Sequence, residues 1–279
     1  MSRRAELEQR LERLAEISDI LTAMKTMALI ETRKFGRFLD HQGRLLAGIE
    51  AAAADFLAFH PTFRGQQPPV DGDRHVLLLI GSERGFCGDF NQALAVALDA
   101  FPEPKPRLLV VGRRLAGKLV GHPRWLEGLS GPSVAEEIPA VLDAVMESLR
   151  RWQAQPPGWV RLSALAHRPD GPVASHGLLP LAPPPAPGFA YPPQLQLEPS
   201  EFFAGLVDHY LSAQLPGLFY GSLLAENRAR LEHMERALAR LRDKSDELQR
   251  HRNALRQEDI TEEIEVILLS AESLPADDE

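Results

Sequence analysis

The sequence predicts an α/β protein: a long antiparallel coiled coil of the N- and C-terminal helices, with a Rossmann-like parallel α/β domain inserted between them. Two patterns predict this fold. At both ends of the 279-residue chain, apolar residues recur at steps of three and four, which is the spacing of an amphipathic helix. Between the ends, short apolar runs alternate with helical segments, as in a parallel sheet that is covered by helices.

The N-terminal helix is predicted over residues 1–59. Proline is absent from Arg3 to Phe59, and only three glycines interrupt this range. At a rise of about 1.5 Å per residue, a helix of this length extends for roughly 80 Å. Its apolar stripe contains Leu7, Leu11, Leu14, Ile17, Leu21, Met24 and Ala28.

The C-terminal helix is predicted over residues 199–279, with Pro216 and Gly217 as the place where it would kink. Its length would be on the order of 110 Å, whereas a compact chain of this size has a radius of gyration of about 19 Å. Both helices are therefore expected to project, each covering the apolar stripe of the other. Because one helix leads out and the other leads back, the pair is antiparallel.

The apolar seam of the C-terminal helix shifts at residues 256–259. Steps of three and four continue to Leu255, and a second seam begins at Ile260, five residues later. Such a shift predicts local unwinding or a change of partner. The second seam packs either on the N-terminal helix alone or also against a surrounding partner. Its apolar residues include Ile264, Ile267, Leu268, Ala271 and Leu274, and the polar residues at the shift are Arg256, Gln257 and Thr261.

The middle of the chain, residues 73–185, is predicted to form the α/β domain. Strands are expected at 75–81, 107–112 and 159–166, and helices at 90–101 and 133–152. The proline-rich residues 186–198 are predicted to connect this domain to the C-terminal helix.

Composition argues against several classes of protein. The net charge of −8 disfavours binding to nucleic acid or to an acidic membrane surface. No apolar stretch has the length of a signal peptide or a membrane span. The single cysteine, Cys87, rules out an intramolecular disulfide, and the scattered histidines disfavour a metal site. These features predict a reduced, cytoplasmic chain without a metal or a cofactor.

The stretch "GSERGFCGDFN", residues 81–91, follows a predicted strand and opens a helix, where phosphate-binding turns occur. Its glycines lack the spacing of a dinucleotide-binding motif, and Asp89 would repel phosphate. A tight structural turn built on Gly85, Cys87 and Gly88 is the favoured interpretation, with Cys87 buried rather than catalytic.

Three separated stretches resemble signatures of the gamma subunit of F-type ATP synthases. "LTAMKTMALIETRK" (21–34) is similar to the N-terminal signature of that family, and "GSERGFCGDFN" is similar to its turn after the first strand. "NALRQEDITEEIEVILLSAESL" (253–274) is similar to its closing signature. The stretches occur in the family order and cover nearly the whole chain.

The resemblance implies a central rotary shaft that is not catalytic by itself. In the family, the two long helices stand inside a ring of three alpha and three beta subunits, and the α/β domain meets the epsilon subunit and the membrane c-ring. Arg256, Gln257 and Thr261 match residues that contact a beta-subunit loop. Met24 and Lys25 lie in the matching N-terminal stretch, where the resemblance implies that the shaft faces the same loops. The apolar end from Ile264 to Leu274 would turn in an apolar collar. The implied location is peripheral, on the cytoplasmic face of a bacterial plasma membrane.

The chain also departs from the family pattern. Asp89 replaces a glycine, Thr26 and Met27 change the surroundings of Met24, and "PADDE" extends the C-terminus. We interpret these departures as a divergent branch, for which the sodium-type ATPases are one candidate. The alternatives to the shaft are a stand-alone α/β nucleotide-binding protein and a coiled-coil adaptor.

Overall fold

Two very long helices enclose the remaining elements in sequence. The computed structural model describes residues 3–64, 74–156, 158–182 and 191–272. Helix α1 spans Arg3–Phe59 and helix α5 spans Pro199–Glu272. The chain divides into a helical unit, residues 1–27 with 232–279, and a sheet unit, residues 28–231. None of the described helices is long and apolar enough to cross a membrane.

The sheet unit alternates strands and helices, with the bounds β1 His75–Ile80, α2 Phe90–Asp99, β2 Arg107–Val111, α3 Arg113–Leu119, β3 Trp125–Leu129, α4 Ile138–Gln153, β4 Arg161–His167 and β5 Val173–Leu179. The five strands form one sheet in the order β3-β2-β1-β4-β5. Strands β1 to β4 are parallel, and the helices α2, α3 and α4 connect them. Strand β5 runs antiparallel to β4 at the edge, so the sheet is mainly parallel, whereas the sequence predicts a parallel one.

The two faces of the sheet are covered by different helices. Side chains alternate along each strand, so that Leu77 and Leu79 of β1 pack with α2 and α3, whereas Val76, Leu78 and Ile80 face the opposite way. On that opposite face lie α4 and the parts of α1 and α5 that belong to this unit. The sheet is therefore buried on both sides, which explains the nearly continuous apolar sequence of β1.

Helices α1 and α5 run antiparallel within the sheet unit. The rings of Phe35 and Tyr220 lie 6.3 Å apart, and Phe56 lies 5.1 Å from Phe202 and 5.8 Å from Phe203. As residue numbers rise along α1, those of its partners on α5 fall. The predicted antiparallel arrangement is thus present in this unit.

In the helical unit, α1 and α5 share a small apolar cluster. Leu21, Met234 and Leu238 are buried there, with Met24 packed against them. Beside the cluster, the Lys25 ammonium group lies 2.8 Å from the Glu235 carboxylate. These contacts pair the predicted stripe of the N-terminal helix with the first part of the C-terminal seam.

Helix α5 is continuous at the two places where the sequence predicts a disturbance. It continues through Pro216, and it remains α-helical at residues 256–259, so the prediction of local unwinding is wrong. At the seam shift, the Thr261 hydroxyl donates to the Gln257 carbonyl over 2.9 Å, one turn earlier. The alternative, a change of partner, stays a prediction. In the connector, residues 186–190 lie outside the described residues.

The buried histidine of β1, His75, is expected to make the folded chain less stable at acidic pH. His75 is buried, its Nε2 lies 3.0 Å from the Ser163 hydroxyl, and burial, with a smaller effect of Arg161, lowers its pKa to about 4. The unfolded chain therefore binds more protons than the folded chain between the ordinary histidine pKa of about 6.5 and pH 4. Stability is lost as the pH falls through this window, by about 2 kcal/mol at pH 5.

Urea unfolding at pH 7 and pH 5 measures this loss. In His75→Gln, which keeps a partner for Ser163 but does not titrate, the difference between the two pH values should shrink by the same amount. An unchanged difference would show that His75 is not the group responsible.

Candidate partner-binding surface

The last described turns of α5 expose a row of large apolar side chains. Ile264 is 51% exposed and Ile267 is 64% exposed, and Ile260 and Leu268 share their face of the helix. Val266, which the sequence analysis did not single out, is exposed on another side. The side chain of Ala271 and all of Leu274 lie outside the described residues. Exposed apolar clusters of this kind are typical of surfaces that bind another protein.

The predicted polar contact residues lie at the N-terminal end of this apolar row. Arg256, Gln257 and Thr261 are all exposed, and they lie within two turns of α5. The structure thus brings these three together next to the apolar surface.

Met24 and Lys25 lie elsewhere in the helical unit. Met24 is half-buried in the cluster with Leu21, and Lys25 pairs with Glu235. Glu235 precedes Arg256 by about 30 Å along the helix. The five residues, which the resemblance implies face the same loops, therefore form two separate groups on the helical unit.

The turn after β1 is held by buried polar contacts. The Asn91 side chain accepts from the Ser82 backbone amide over 3.0 Å and donates to the Ser82 hydroxyl over 2.6 Å. Cys87 is buried, and this burial raises the pKa of its thiol, which opposes the thiolate form that a nucleophile needs. Gly88 has a positive φ of 58°, as a tight turn requires, and Phe86 also has one, of 63°.

Gly85 has a different role in this turn from the one predicted. Its φ is not positive, but an added Cβ would lie 3.0 Å from the Arg114 guanidinium. The glycine therefore allows close approach of the arginine side chain instead of providing a left-handed backbone.

A second polar group, to which the sequence analysis assigned no role, lies on α5 in the sheet unit. The Glu226 carboxylate pairs with the Arg230 guanidinium, and Arg230 also donates to Asn227 over 2.9 Å. Glu226 is 3% exposed and Arg230 is 8% exposed. Burial raises the pKa of the Glu226 carboxyl to about 7, against the opposing effect of the Arg230 charge.

The comparison with protein families decides the identity of this chain. A family model described as ATP synthase matches residues 3–274. The chain belongs to the gamma-subunit family of ATP synthases. The family predicted from the three signatures is confirmed, and so is the function of a central rotary shaft. No curated protein matches the sequence.

Solved structures share the fold of this gamma-family chain at low sequence identity. Two are chains of the Euglena gracilis mitochondrial ATP synthase, both 15% identical. The chain in the rotor structure has a TM-score of 0.61, with 92% of this chain and 98% of that chain covered. The chain in the OSCP/F1/c-ring structure has a TM-score of 0.65, with 99% of this chain and 98% of that chain covered. A chain from the central stalk/c-ring structure of the Tetrahymena thermophila mitochondrial ATP synthase is 14% identical, with a TM-score of 0.60 and coverages of 78% and 99%.

The mixed α/β fold with a mainly parallel sheet and a long C-terminal helix is thereby confirmed for this gamma-family chain. Membership also makes the chain part of a rotary, membrane-associated ATP synthase complex. The two groups of predicted contact residues and the exposed apolar row therefore belong to a chain that works within a complex of several subunits.

Proposed function

We propose that this chain turns inside a ring of three alpha and three beta subunits and couples ATP synthesis or hydrolysis there to ion movement through a membrane c-ring. The catalytic sites belong to the ring, and this chain has none of its own. The α/β domain meets the epsilon subunit and the c-ring. The complex lies on the cytoplasmic face of a bacterial plasma membrane, with this chain as a peripheral component.

The observation that carries this proposal is the exposed apolar face of α5 in a chain of the gamma-subunit family. Ile264, Ile267 and Leu268 expose most of their side chains, which is unfavourable in water unless another protein covers them. A collar of apolar side chains supplied by the ring suits this surface. Because apolar contact is non-directional, such a collar holds the helix without fixing its angle. The residues assigned to this bearing are Ile264, Ile267, Leu268, Ala271 and Leu274.

The polar group next to the bearing supplies contacts that depend on angle. Arg256, Gln257 and Thr261 stand on one helix inside a threefold ring, so each beta subunit meets a different side of the shaft. A contact that differs between subunits favours a different conformation, and hence a different nucleotide affinity, in each. Since these side chains are exposed, water satisfies them between contacts.

Met24 and Lys25 form a second contact point in this proposal. Their distance of about 30 Å along the helical unit from Arg256 supports contact with a different part of the beta subunit from the one that Arg256 meets. Lys25 is 38% exposed although it pairs with Glu235, so its ammonium group remains accessible to a carboxylate of a partner.

Replacing Arg256 and Gln257 together by alanine tests the proposed coupling. Hydrogen bonds that involve a charged group contribute about 1.5–3 kcal/mol, so we expect ATP-driven ion pumping per ATP hydrolysed to fall about tenfold. The measurement is ion uptake and ATP hydrolysis in vesicles that contain the assembled complex.

Gln249 and Arg250 provide a matched control, because they are the same two residue types, both exposed, two turns earlier on α5. Their double alanine variant should pump as the wild type does. If the Arg256 and Gln257 variant pumps and hydrolyses normally, these residues do not have the proposed role.

A further inference from the structure

The sheet of this chain has a crevice of the kind in which related sheets bind ligands. Strand β1 lies between β2 and β4. The helix that connects β1 to β2, α2, lies on one face of the sheet, and the helix that leads from β3 into β4, α4, lies on the other. At such a change of direction, the carboxyl ends of the strands leave an open crevice, where nucleotides bind in many α/β proteins. Here the crevice lies beyond Ile80 of β1 and His167 of β4.

Helix α5 fills this crevice. The Ser222 hydroxyl donates to the Ile80 carbonyl at the end of β1 over 3.3 Å, and the Arg228 guanidinium donates to the Pro169 carbonyl just beyond β4 over 2.6 Å. Gly221 permits this approach, because an added Cβ would lie 3.2 Å from the Pro169 ring. The helix therefore bridges the ends of both strands, at the position where many other α/β sheets bind a nucleotide.

The buried ion pair lies in the same contact. Arg230 pairs with Glu226, and its Nε donates to the Gly85 carbonyl in the turn after β1 over 3.4 Å. Ser222, Glu226 and Arg230 are each four residues apart, so they share one face of α5. Unlike the apolar packing nearby, these bonds have direction, and they fix both the rotation and the axial position of the helix against the sheet.

We propose that residues 221–230 form a mechanical joint, the crevice joint, which locks α5 to the α/β domain and transmits torque between that domain and the shaft. This inference rests on the proposed function. A buried ion pair contributes little stability compared with apolar residues of similar size, but it specifies one arrangement. A shaft under torque needs that specificity, because a purely apolar contact resists separation better than it resists slipping.

The test replaces the pair by leucines, Glu226→Leu with Arg230→Leu, in the complex reconstituted with alpha, beta and epsilon subunits and the c-ring. We expect the full chain to keep its thermal unfolding midpoint, because apolar replacement of a buried pair is often neutral. Ions pumped per ATP hydrolysed should fall about fivefold or more, the size of a typical coupling between sites. A purely structural pair would change the midpoint and not this ratio.

The control is Lys244→Leu with Glu247→Leu, an exposed ion pair on the same helix, which should leave the ratio unchanged. A folded Glu226 and Arg230 variant with normal coupling overturns the proposal. If that variant does not assemble, Arg228→Ala decides, since it removes only an exposed contact to Pro169: reduced coupling supports the joint, and normal coupling overturns it. A wild-type chain that fails to pump in this system would instead contradict the proposed function.

Discussion

Replacing Ile264 and Ile267 by aspartate is expected to release this chain from the alpha and beta subunits while the isolated chain stays as stable as the wild type. Both side chains are exposed in the chain alone, so the change removes little packing. In the ring, each aspartate would be buried in an apolar collar, at a cost of several kcal/mol per charge. Two such charges should weaken binding by about a thousandfold or more, measured by co-purification at decreasing protein concentration.

The control adds the same charge to the same helix outside the proposed bearing. Gln249 and Asn253 are exposed and polar, and their double aspartate variant should bind as the wild type does. If the variant at Ile264 and Ile267 co-purifies with the alpha and beta subunits as well as the wild type does, this face of α5 does not contact the ring. Lower thermal stability of the isolated variant would show that the two isoleucines pack within the chain.

Replacing Phe56 by alanine is expected to lower the free energy of unfolding of the sheet unit by about 3–5 kcal/mol, the typical cost for a fully buried phenylalanine. Phe56 is 1% exposed, and its ring contacts those of Phe63, Phe202 and Phe203. The loss combines reduced apolar burial with the cavity that the surrounding rings leave open. It also removes the main aromatic contact between α1 and the beginning of α5.

Urea unfolding followed by tryptophan fluorescence measures this effect. The signal reports on the sheet unit, because the three tryptophans of the sequence, Trp125, Trp152 and Trp159, all belong to it. Tyr191→Ala is the matched control. Its ring is 82% exposed, so the free energy of unfolding should change by less than about 0.5 kcal/mol. Similar losses in both variants would mean that Phe56 is not part of the core.

The elements with the strongest periodic patterns were predictable from the sequence. The long helix predicted over residues 1–59 spans Arg3–Phe59, and the three apolar strands correspond to β1, β2 and β4 within about two residues. Strands β3 and β5 were missed because "WLEGL" and "VASHGLL" contain polar residues and glycine and lie at the sheet edges, where burial is incomplete. Helix α3 was missed because seven residues are too few to show a helical repeat.

The candidate sites were predictable only where a motif carried them. Arg256, Gln257 and Thr261 followed from the closing signature, but the distance between them and Lys25 depends on how the helices pair. The Glu226 and Arg230 pair resembles an ordinary solvated pair at a spacing of four, and only packing against the sheet buries it. One signal was present: Ser222, Glu226 and Arg230 recur at steps of four, so three polar residues line one face of α5.

The most direct test of the central claim is to observe rotation. With the alpha and beta ring fixed to a surface, a probe is attached to the α/β domain through Val120→Cys, which is exposed, whereas the single natural cysteine is buried. On addition of ATP, the shaft account predicts that the probe turns in one direction, with one pause for each beta subunit per turn. A probe that stays still while the same complexes hydrolyse ATP would contradict it.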